Sequence, residues 1–358
     1  MIRVGLIGYG LAGSAFHAPL IAAGPHMRLA MVASSRPDAV RAALPDVAVV
    51  AGADALIADP SIDLVVVATP NHLHAPLARA ALEAGKHVVV DKPFVVDPAE
   101  GDALIDLARA QGRVLSVFHN RRWDGDFLTV EKLVRAGTLG DVMLAEFCWD
   151  RFRPAIKRGW REQPGEGAGL LADLGPHLVD QALRLFGPPR AVRGDLAVQR
   201  GEAAVDDWFD LTLFYGASRV RLSASTLVAD PRPRFALHGT RGSFVKYGID
   251  PQEAALRAGG SVGAPGFGED PDDLRGRLTI GDAAPERVAT ERGNWRRFYA
   301  GVAAAVLDGA PPPVDPAEAL AALRLITLVR RSIDEGRVLV DERLTAAFSK
   351  TKPTLHRQ

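Results

Sequence analysis

One cysteine, Cys148, is the whole thiol content of a 358-residue chain. A lone thiol forms no internal disulfide, so the fold does not depend on an oxidising compartment. Nor does it build a thiolate metal site by itself. Charge of one sign is also missing: 43 basic residues stand against 43 acidic ones. A nucleic-acid or anionic-membrane surface would need a basic excess, so neither partner is expected. No run of about 20 apolar residues occurs, which excludes a spanning helix. Met1-Ile2-Arg3-Val4 leads into strand-like sequence rather than a charged and then apolar leader, and cytoplasm is the expected location. There is no internal repeat and no low-complexity tract. What remains is 47% hydrophobic and 24% charged, ordinary for a globular protein. The length suits two domains.

The first third alternates strand and helix patterns. Val4–Ile7, Leu29–Ala33, Asp63–Ala68, His87–Val90 and Val114–Phe118 read as buried strands. Helical stretches are expected at Ser14–Ala23, at Pro76–Ala84 with Gly85 as its stop, and from Asp97-Pro98-Ala99-Glu100 to Gly112. This order predicts a Rossmann domain, a doubly wound parallel sheet, over residues 1–122. After that the pattern changes. Helices are expected near 126–136 and 179–186, among strands at Val142–Trp149, Asp210–Tyr215, Arg219–Thr226 and Phe235–His238. Residues 123–358 therefore read as an α+β domain with a large, mostly antiparallel sheet. Gly259–Gly268 reads as a loop, Asp315-Pro316-Ala317-Glu318 opens a helix to about Glu335, and Lys350–Gln358 reads as a frayed end.

Gly8-Tyr9-Gly10-Leu11-Ala12-Gly13 is a G-x-G-x-x-G motif. The first glycine permits a tight turn, the second lets backbone approach a pyrophosphate, and the third lets helix and strand pack closely. Helix-start amides then face an anion. Alone the motif is an ordinary glycine-rich turn; placed between a buried strand and a helix it predicts dinucleotide binding through Gly8, Tyr9, Gly10, Leu11 and Ala12. An NAD site usually has Asp or Glu at the end of the second strand, on the ribose 2′-hydroxyl. Here the sequence is Ala33-Ser34-Ser35-Arg36. Two hydroxyls and a guanidinium suit a 2′-phosphate, so NADP is expected over NAD. The plain alternative is that Ser35 caps the next helix and Arg36 is a solvated surface residue.

Val88-Val89-Val90-Asp91-Lys92-Pro93 ends a strand with a lysine, where ligands of open α/β sheets sit. Four stretches now stand in one order: the Gly8 motif, Ala68-Thr69-Pro70-Asn71-His72-Leu73-His74, Asp91-Lys92-Pro93, and Gly169-Leu170-Leu171-Ala172-Asp173-Leu174-Gly175-Pro176-His177-Leu178-Val179-Asp180. Together they resemble the successive motifs of the glucose-fructose oxidoreductase / inositol dehydrogenase (Gfo/Idh/MocA) family, over nearly the whole chain. Phe118–Asp124 and Gly239–Phe244 resemble its NADP-dependent scyllo-inositol dehydrogenase branch.

The resemblance implies that Lys92 sits beside the nicotinamide and the reacting carbon, and that Asp173 and His177 complete the catalytic set. It implies that Thr69, Pro70, Asn71, His74 and Asn120 line the cofactor. The family usually has Glu before the lysine, whereas Asp91 is one methylene shorter, which puts its ribose contact in question. The implied reaction is hydride transfer between nicotinamide and a secondary alcohol of a cyclic polyol or sugar. His177 would be the base, since histidine titrates closest to neutral pH; Lys92 would donate to the reacting oxygen; Asp173 would orient substrate or His177. If Asp173, His177 and Asp180 share a helix they lie on one face, at i, i+4 and i+7, but Pro176 stands among them, so the helix either starts near Pro176 or is kinked there. Arg122, Arg153 and Trp160 are further candidates for substrate contact. Trp149, Phe152 and Trp160, with Arg153, Lys157 and Arg161, form either a sugar-facing wall or domain core with a solvated rim. A zinc site from Asp173, His177 and Asp180 is disfavoured by its ligand types, and no metal is expected. Competing functions are a non-catalytic NADP sensor or corepressor on the same fold, and an oxidoreductase for a non-sugar substrate. A homodimer or homotetramer is expected.

Overall fold

The computed structural model describes residues 1–156, 159, 162–165 and 167–340. Trp160, Lys157 and Arg161 of the possible aromatic wall lie outside these residues, as does the polar C-terminal end. The chain forms two compact units. The first takes Met1–Asp124, Pro251–Gly268 and Gly293–Leu320; the second takes Gly125–Asp250, Glu269–Arg292 and the chain from Ala321 onward. Two later stretches of sequence thus return to the first unit.

The first unit is a Rossmann fold. Its strands are β1 (Ile2–Ile7), β2 (Met27–Ala33), β3 (Ala48–Val50), β4 (Leu64–Val67), β5 (His87–Val90) and β6 (Leu115–Val117). They form one six-stranded parallel sheet in the order β3-β2-β1-β4-β5-β6. β4 is buried along its whole length, as a central strand covered on both faces should be. Strand order reverses between β1 and β4, so the crevice at their carboxyl ends is the expected ligand position. A π-type turn at Ala12–His17 leads into α1 (Ala18–Ala22), and α2 (Pro37–Ala43), α3 (Ala53–Ala58), α4 (His74–Glu83) and α5 (Pro98–Ala110) connect the later strands. Asp97 Oδ1 accepts the Ala99 amide at 2.9 Å and caps α5. The sequence pattern passed over β3 and α3, which are too short to show a clear period.

The second unit begins with α6 (Gly125–Arg135) and β7 (Val142–Asp150), then α7 (Leu170–Phe186). Strands β8 (Ala191–Ala197), β9 (Trp208–Tyr215), β10 (Ser218–Ser225), β11 (Phe235–Gly239) and β12 (Gly242–Lys246) follow. The remaining elements are α8 (Gln252–Arg257), which belongs to the first unit, β13 (Gly276–Ile280), β14 (Glu286–Val288), α9 (Arg296–Asp308), also of the first unit, α10 (Pro316–Asp334) and β15 (Leu339–Val340). The sheet is nine-stranded, in the order β14-β13-β12-β11-β7-β10-β9-β8-β15. Among the described residues only β7 and β10 pair in parallel in this sheet; the other neighbours are antiparallel. β9 alternates, with Phe209, Leu211 and Leu213 inward, and its buried face joins Leu171, Leu174, Leu178 and Ala182 of α7 in one apolar core.

α7 begins nine residues before the helix start expected from the sequence, at Leu170 rather than near Val179. Its start is fastened from a distant segment: Asp206 Oδ2 accepts the Leu171 amide at 2.7 Å, and the Asp206 carbonyl accepts that of Leu170 at 2.8 Å. Pro176 therefore sits inside the helix, not in its first turn. Among the described residues no helix is long and apolar enough to cross a membrane.

Candidate active site

In the first unit the loops that follow β1, β2, β4, β5 and β6 all lie at the carboxyl edge of one parallel sheet. They carry Gly8–Ala12, Ser34–Arg36, Thr69–Asn71, Asp91-Lys92 and Asn120 respectively. The glycine loop is built as the motif requires. Gly8 has φ 98°, and a Cβ there would lie 2.3 Å from the Ala68 carbonyl oxygen beyond β4. A Cβ on Gly13 would stand 2.1 Å from the Gly8 carbonyl oxygen. Nothing lies within 4 Å of a Cβ placed on Gly10, whose side of the loop is open. Ser14 folds back, amide and hydroxyl both donating to the Gly10 carbonyl at 2.9 and 2.7 Å. The amides of the first turn have no partners inside the helix and suit an anion. A dinucleotide fits this cradle.

At the end of β2, Ser34 is buried and its hydroxyl accepts the Arg36 amide at 3.0 Å. The Arg36 guanidinium reaches across to the Tyr9 carbonyl at 2.5 Å, while Ser35 and Arg36 are solvent-exposed. Arg36 is thus tied to the glycine loop itself.

The loops after β4 and β5 are braced by His74. It is fully buried, with Nδ1 2.7 Å from the Pro93 carbonyl and Nε2 3.0 Å from that of Thr69. Burial pushes its imidazole below the ordinary histidine range, against the pull of Asp91 and the two carbonyls. Asn71 and Asn120 are buried, Thr69 is half-buried, and Pro70 is exposed. The Lys92–Pro93 peptide is cis. Asp91 Oδ1 accepts the Lys92 amide at 2.8 Å. Burial pushes the Asp91 carboxyl up, but His17, Lys92 and His74 outweigh it and hold the group below the usual carboxylate range. Arg122 is buried and donates to Glu318 at 2.6 Å.

In the second unit α7 places Asp173, His177 and Asp180 on one face, at i, i+4 and i+7. Asp173 is half-buried, with Arg151 Nη1 3.8 Å from its Oδ2. His177 and Asp180 are buried. The His177 ring lies 5.9 Å from that of Trp149, tilted by 31°. Trp149 is itself buried, with the guanidinium carbons of Arg234 and Arg151 at 4.8 and 5.8 Å from its ring. So Trp149 is core, whereas Phe152 is exposed and Arg153 half-buried. Burial pushes the Cys148 thiol up to about 11, far from a nucleophile's range. Among the described residues no group of three or more His, Cys, Asp or Glu side chains is arranged to hold a metal ion.

Sequence reasoning passed over His17, Tyr299 and Arg151. His17 Nδ1 meets Tyr299 Oη at 2.6 Å across 282 positions of sequence, and no local pattern announces such a pair.

Two family models match the chain. One, described as an oxidoreductase family NAD-binding Rossmann fold, matches residues 2–119; the other, an oxidoreductase family C-terminal alpha/beta domain, matches residues 131–341. An Escherichia coli oxidoreductase, YdgJ, is 47% identical over 91% of this chain and 95% of its own. The Bacillus subtilis scyllo-inositol 2-dehydrogenase (NADP(+)) IolW is 39% identical over 95% of this chain and 96% of its own. More distant relatives include a levoglucosan dehydrogenase from Pseudarthrobacter phenanthrenivorans, 28% identical over 68% of this chain and 73% of its own. Among solved structures, that of yvaA from Bacillus subtilis superposes with a TM-score of 0.92 at 39% identity, covering 95% of this chain and 98% of that one.

Proposed function

The chain belongs to the Gfo/Idh/MocA oxidoreductase family, and on that premise we propose that it is an NADP-dependent dehydrogenase for a secondary alcohol of a cyclic, inositol-like polyol or sugar. The observation that carries the reading is α7, which presents a histidine and an arginine-paired carboxylate one turn apart on a single face. Relatives named for inositol and for an anhydrosugar support the substrate class. The choice of NADP rests on the end of β2, where Arg36, fixed to the Tyr9 carbonyl, stands in place of a carboxylate.

In this reading the glycine loop and Ser34, Ser35 and Arg36 hold the cofactor's phosphates, with Thr69, Pro70, Asn71, His74, Asp91 and Asn120 around the rest of it. The cofactor, when bound, supplies the hydride acceptor. Lys92 Nζ donates a hydrogen bond to the reacting oxygen and favours its alkoxide character. His177 takes the hydroxyl proton, and Asp173 orients substrate or His177. Arg122 and Arg153 complete the substrate contacts. Assembly as a homodimer or homotetramer belongs to the same proposal, and light scattering behind size exclusion would read it.

The test is absorbance at 340 nm with NADP or NAD, a panel of inositols and aldoses, and the variants Lys92→Ala and His177→Ala. Reduction of NADP is expected, falling about a hundred- to ten-thousand-fold in His177→Ala. Arg36→Ala should weaken NADP binding roughly tenfold or more and leave NAD binding in place. Wild-type turnover in both Lys92→Ala and His177→Ala would overturn the mechanism. NADP binding with no turnover across the panel would move the reading to a nucleotide sensor.

A further inference from the structure

Behind Asp91 lies a buried polar contact in apolar surroundings. His17, at the end of the π-type turn after the glycine loop, is fully buried, and so is Tyr299 on α9. Phe118 covers the His17 ring at 4.3 Å between centroids, and Phe298 meets Tyr299 edge-on at 5.2 Å. Two polar contacts leave this pocket. Tyr299 Oη is 2.6 Å from His17 Nδ1, and His17 Nε2 is 3.8 Å from Asp91 Oδ1. Nε2 has no hydrogen-bond partner among the described residues, and the acceptor it faces is that carboxylate.

The two tautomers of His17 are not equivalent here. With the proton on Nδ1, the ring donates to Tyr299, the phenol hydrogen loses its acceptor, and the bare lone pair of Nε2 faces a carboxylate. With the proton on Nε2, Tyr299 donates to Nδ1 and N–H faces carboxylate. Only the second arrangement gives the phenol hydrogen an acceptor and turns an N–H rather than a lone pair toward the carboxylate. Burial keeps Tyr299 a phenol and hence a donor, and Asp91 is held ionised and hence an acceptor.

We infer that Tyr299 and His17 form a positioning relay for Asp91: the tyrosine hydroxyl fixes the Nε2–H tautomer of His17, and that N–H holds the carboxylate that in turn accepts the Lys92 amide. His17 and Tyr299 are positioning residues and touch no reacting atom. The inference rests on the reading of Lys92 and Asp91 as part of the cofactor site. It adds a control on that loop from a helix encoded two hundred residues later. Asp91 is reached by His17, by the Lys92 amide and by the electrostatics of His74, and of these His17 is the one that lies outside the proposed ligand contacts.

Two measurements on the full-length protein test this, and neither needs a polyol. Nitrogen-15 NMR of the imidazole rings reads the tautomer, with the His17 signals identified by their loss in His17→Gln. The expected result is a protonated Nε2 and an unprotonated, hydrogen-bonded Nδ1, the latter shifting in Tyr299→Phe. Fluorescence titration with NADPH reads the consequence. Tyr299→Phe should weaken binding roughly two- to tenfold, the worth of one hydrogen bond. His17→Leu should weaken it further, and His17→Gln, which keeps an acceptor for the phenol and a donor for the carboxylate, should recover most of the loss. An Nδ1–H tautomer would overturn the relay. So would wild-type NADPH affinity in His17→Leu, or equal losses in His17→Leu and His17→Gln. Failure to bind NADPH at all would instead overturn the cofactor reading, while the tautomer measurement would still stand.

Discussion

The two units bury titratable groups with opposite consequences. In the first, burial pushes the imidazoles of His74 and His87 down, and the His17, Lys92 and His74 side chains hold the Asp91 carboxyl down as well. In the second, burial pushes up the carboxyls of Asp126, Asp206 and Asp210 despite neighbouring arginines and backbone amides. Asp207 is the exception: Gln199 and Arg200 outweigh its burial and hold it down. The difference follows from what each unit keeps inside. The first ties Asp91 to the Lys92 amide and sets His17, Lys92 and His74 around it; in the second, burial outweighs the partners of Asp126, Asp206 and Asp210. There Arg234 is buried against Trp149 and Phe235 with its Nε 3.7 Å from Asp126, and Lys246 is buried with its Nζ 2.7 Å from Asp270.

The strongest blow to the second unit should be Arg234→Ala. It removes the guanidinium donating to Gln181 at 2.7 Å and leaves Asp126 with less compensation. A loss of about 3–5 kcal/mol is expected from denaturant unfolding, since breaking a buried ion pair strands the other charge. Gly13→Ala should cost the first unit less, about 1–3 kcal/mol of overpacking against the Gly8 carbonyl, while abolishing measurable NADPH binding. A smaller effect separates the units by pH. His74 and His87 are depressed below 6.5, so the unfolded chain binds more protons as pH drops through that value, and their contribution is lost on acidification. The raised carboxyls do the reverse: their contribution is full below 3.8 and lost as pH rises through their folded values. Hydrogen exchange at pH 7.5 and 5.5, corrected for intrinsic rates, should show protection falling in β4 and β5 but not in β9 or α6. Equal losses in both would break the comparison. The least change belongs to Arg109→Ala, which removes an exposed pair with Asp106 and should leave the unfolding temperature where it was.

Much of the first unit was legible because its signals are local. The Gly8 loop, the unbroken apolar run of β4 and the Asp97 cap each depend on residues within a few positions of one another. The ends of β1, β2, β4, β5 and β6 were legible for the same reason, and the sheet order then brought their loops to one edge. Long-range contacts were not. The start of α7 is set by Asp206, 35 positions from the amide it accepts, and a proline within the helix argued locally for a later start. The tertiary cap overrides that local preference. Trp149 could be read as wall or as core because its sequence neighbours alternate; its burial beneath two guanidiniums decides for core. The pairing of His17 with Tyr299 joins the start of the chain to a helix near its end.

That last pairing sets a timetable for synthesis. At about 5–20 residues per second, Tyr299 is translated roughly 9 to 35 seconds after Asp124. For that interval the residues of the parallel sheet and the glycine loop exist but those of α9 do not, and the His17 and Phe118 rings have no Tyr299 beside them. The sides of the His17 and Phe118 rings that Tyr299 meets stay without that neighbour until α9 has been made. The unit whose motifs come first is therefore complete only once Leu320 has been made, and the second unit, which takes the chain from Ala321 onward, is completed later still.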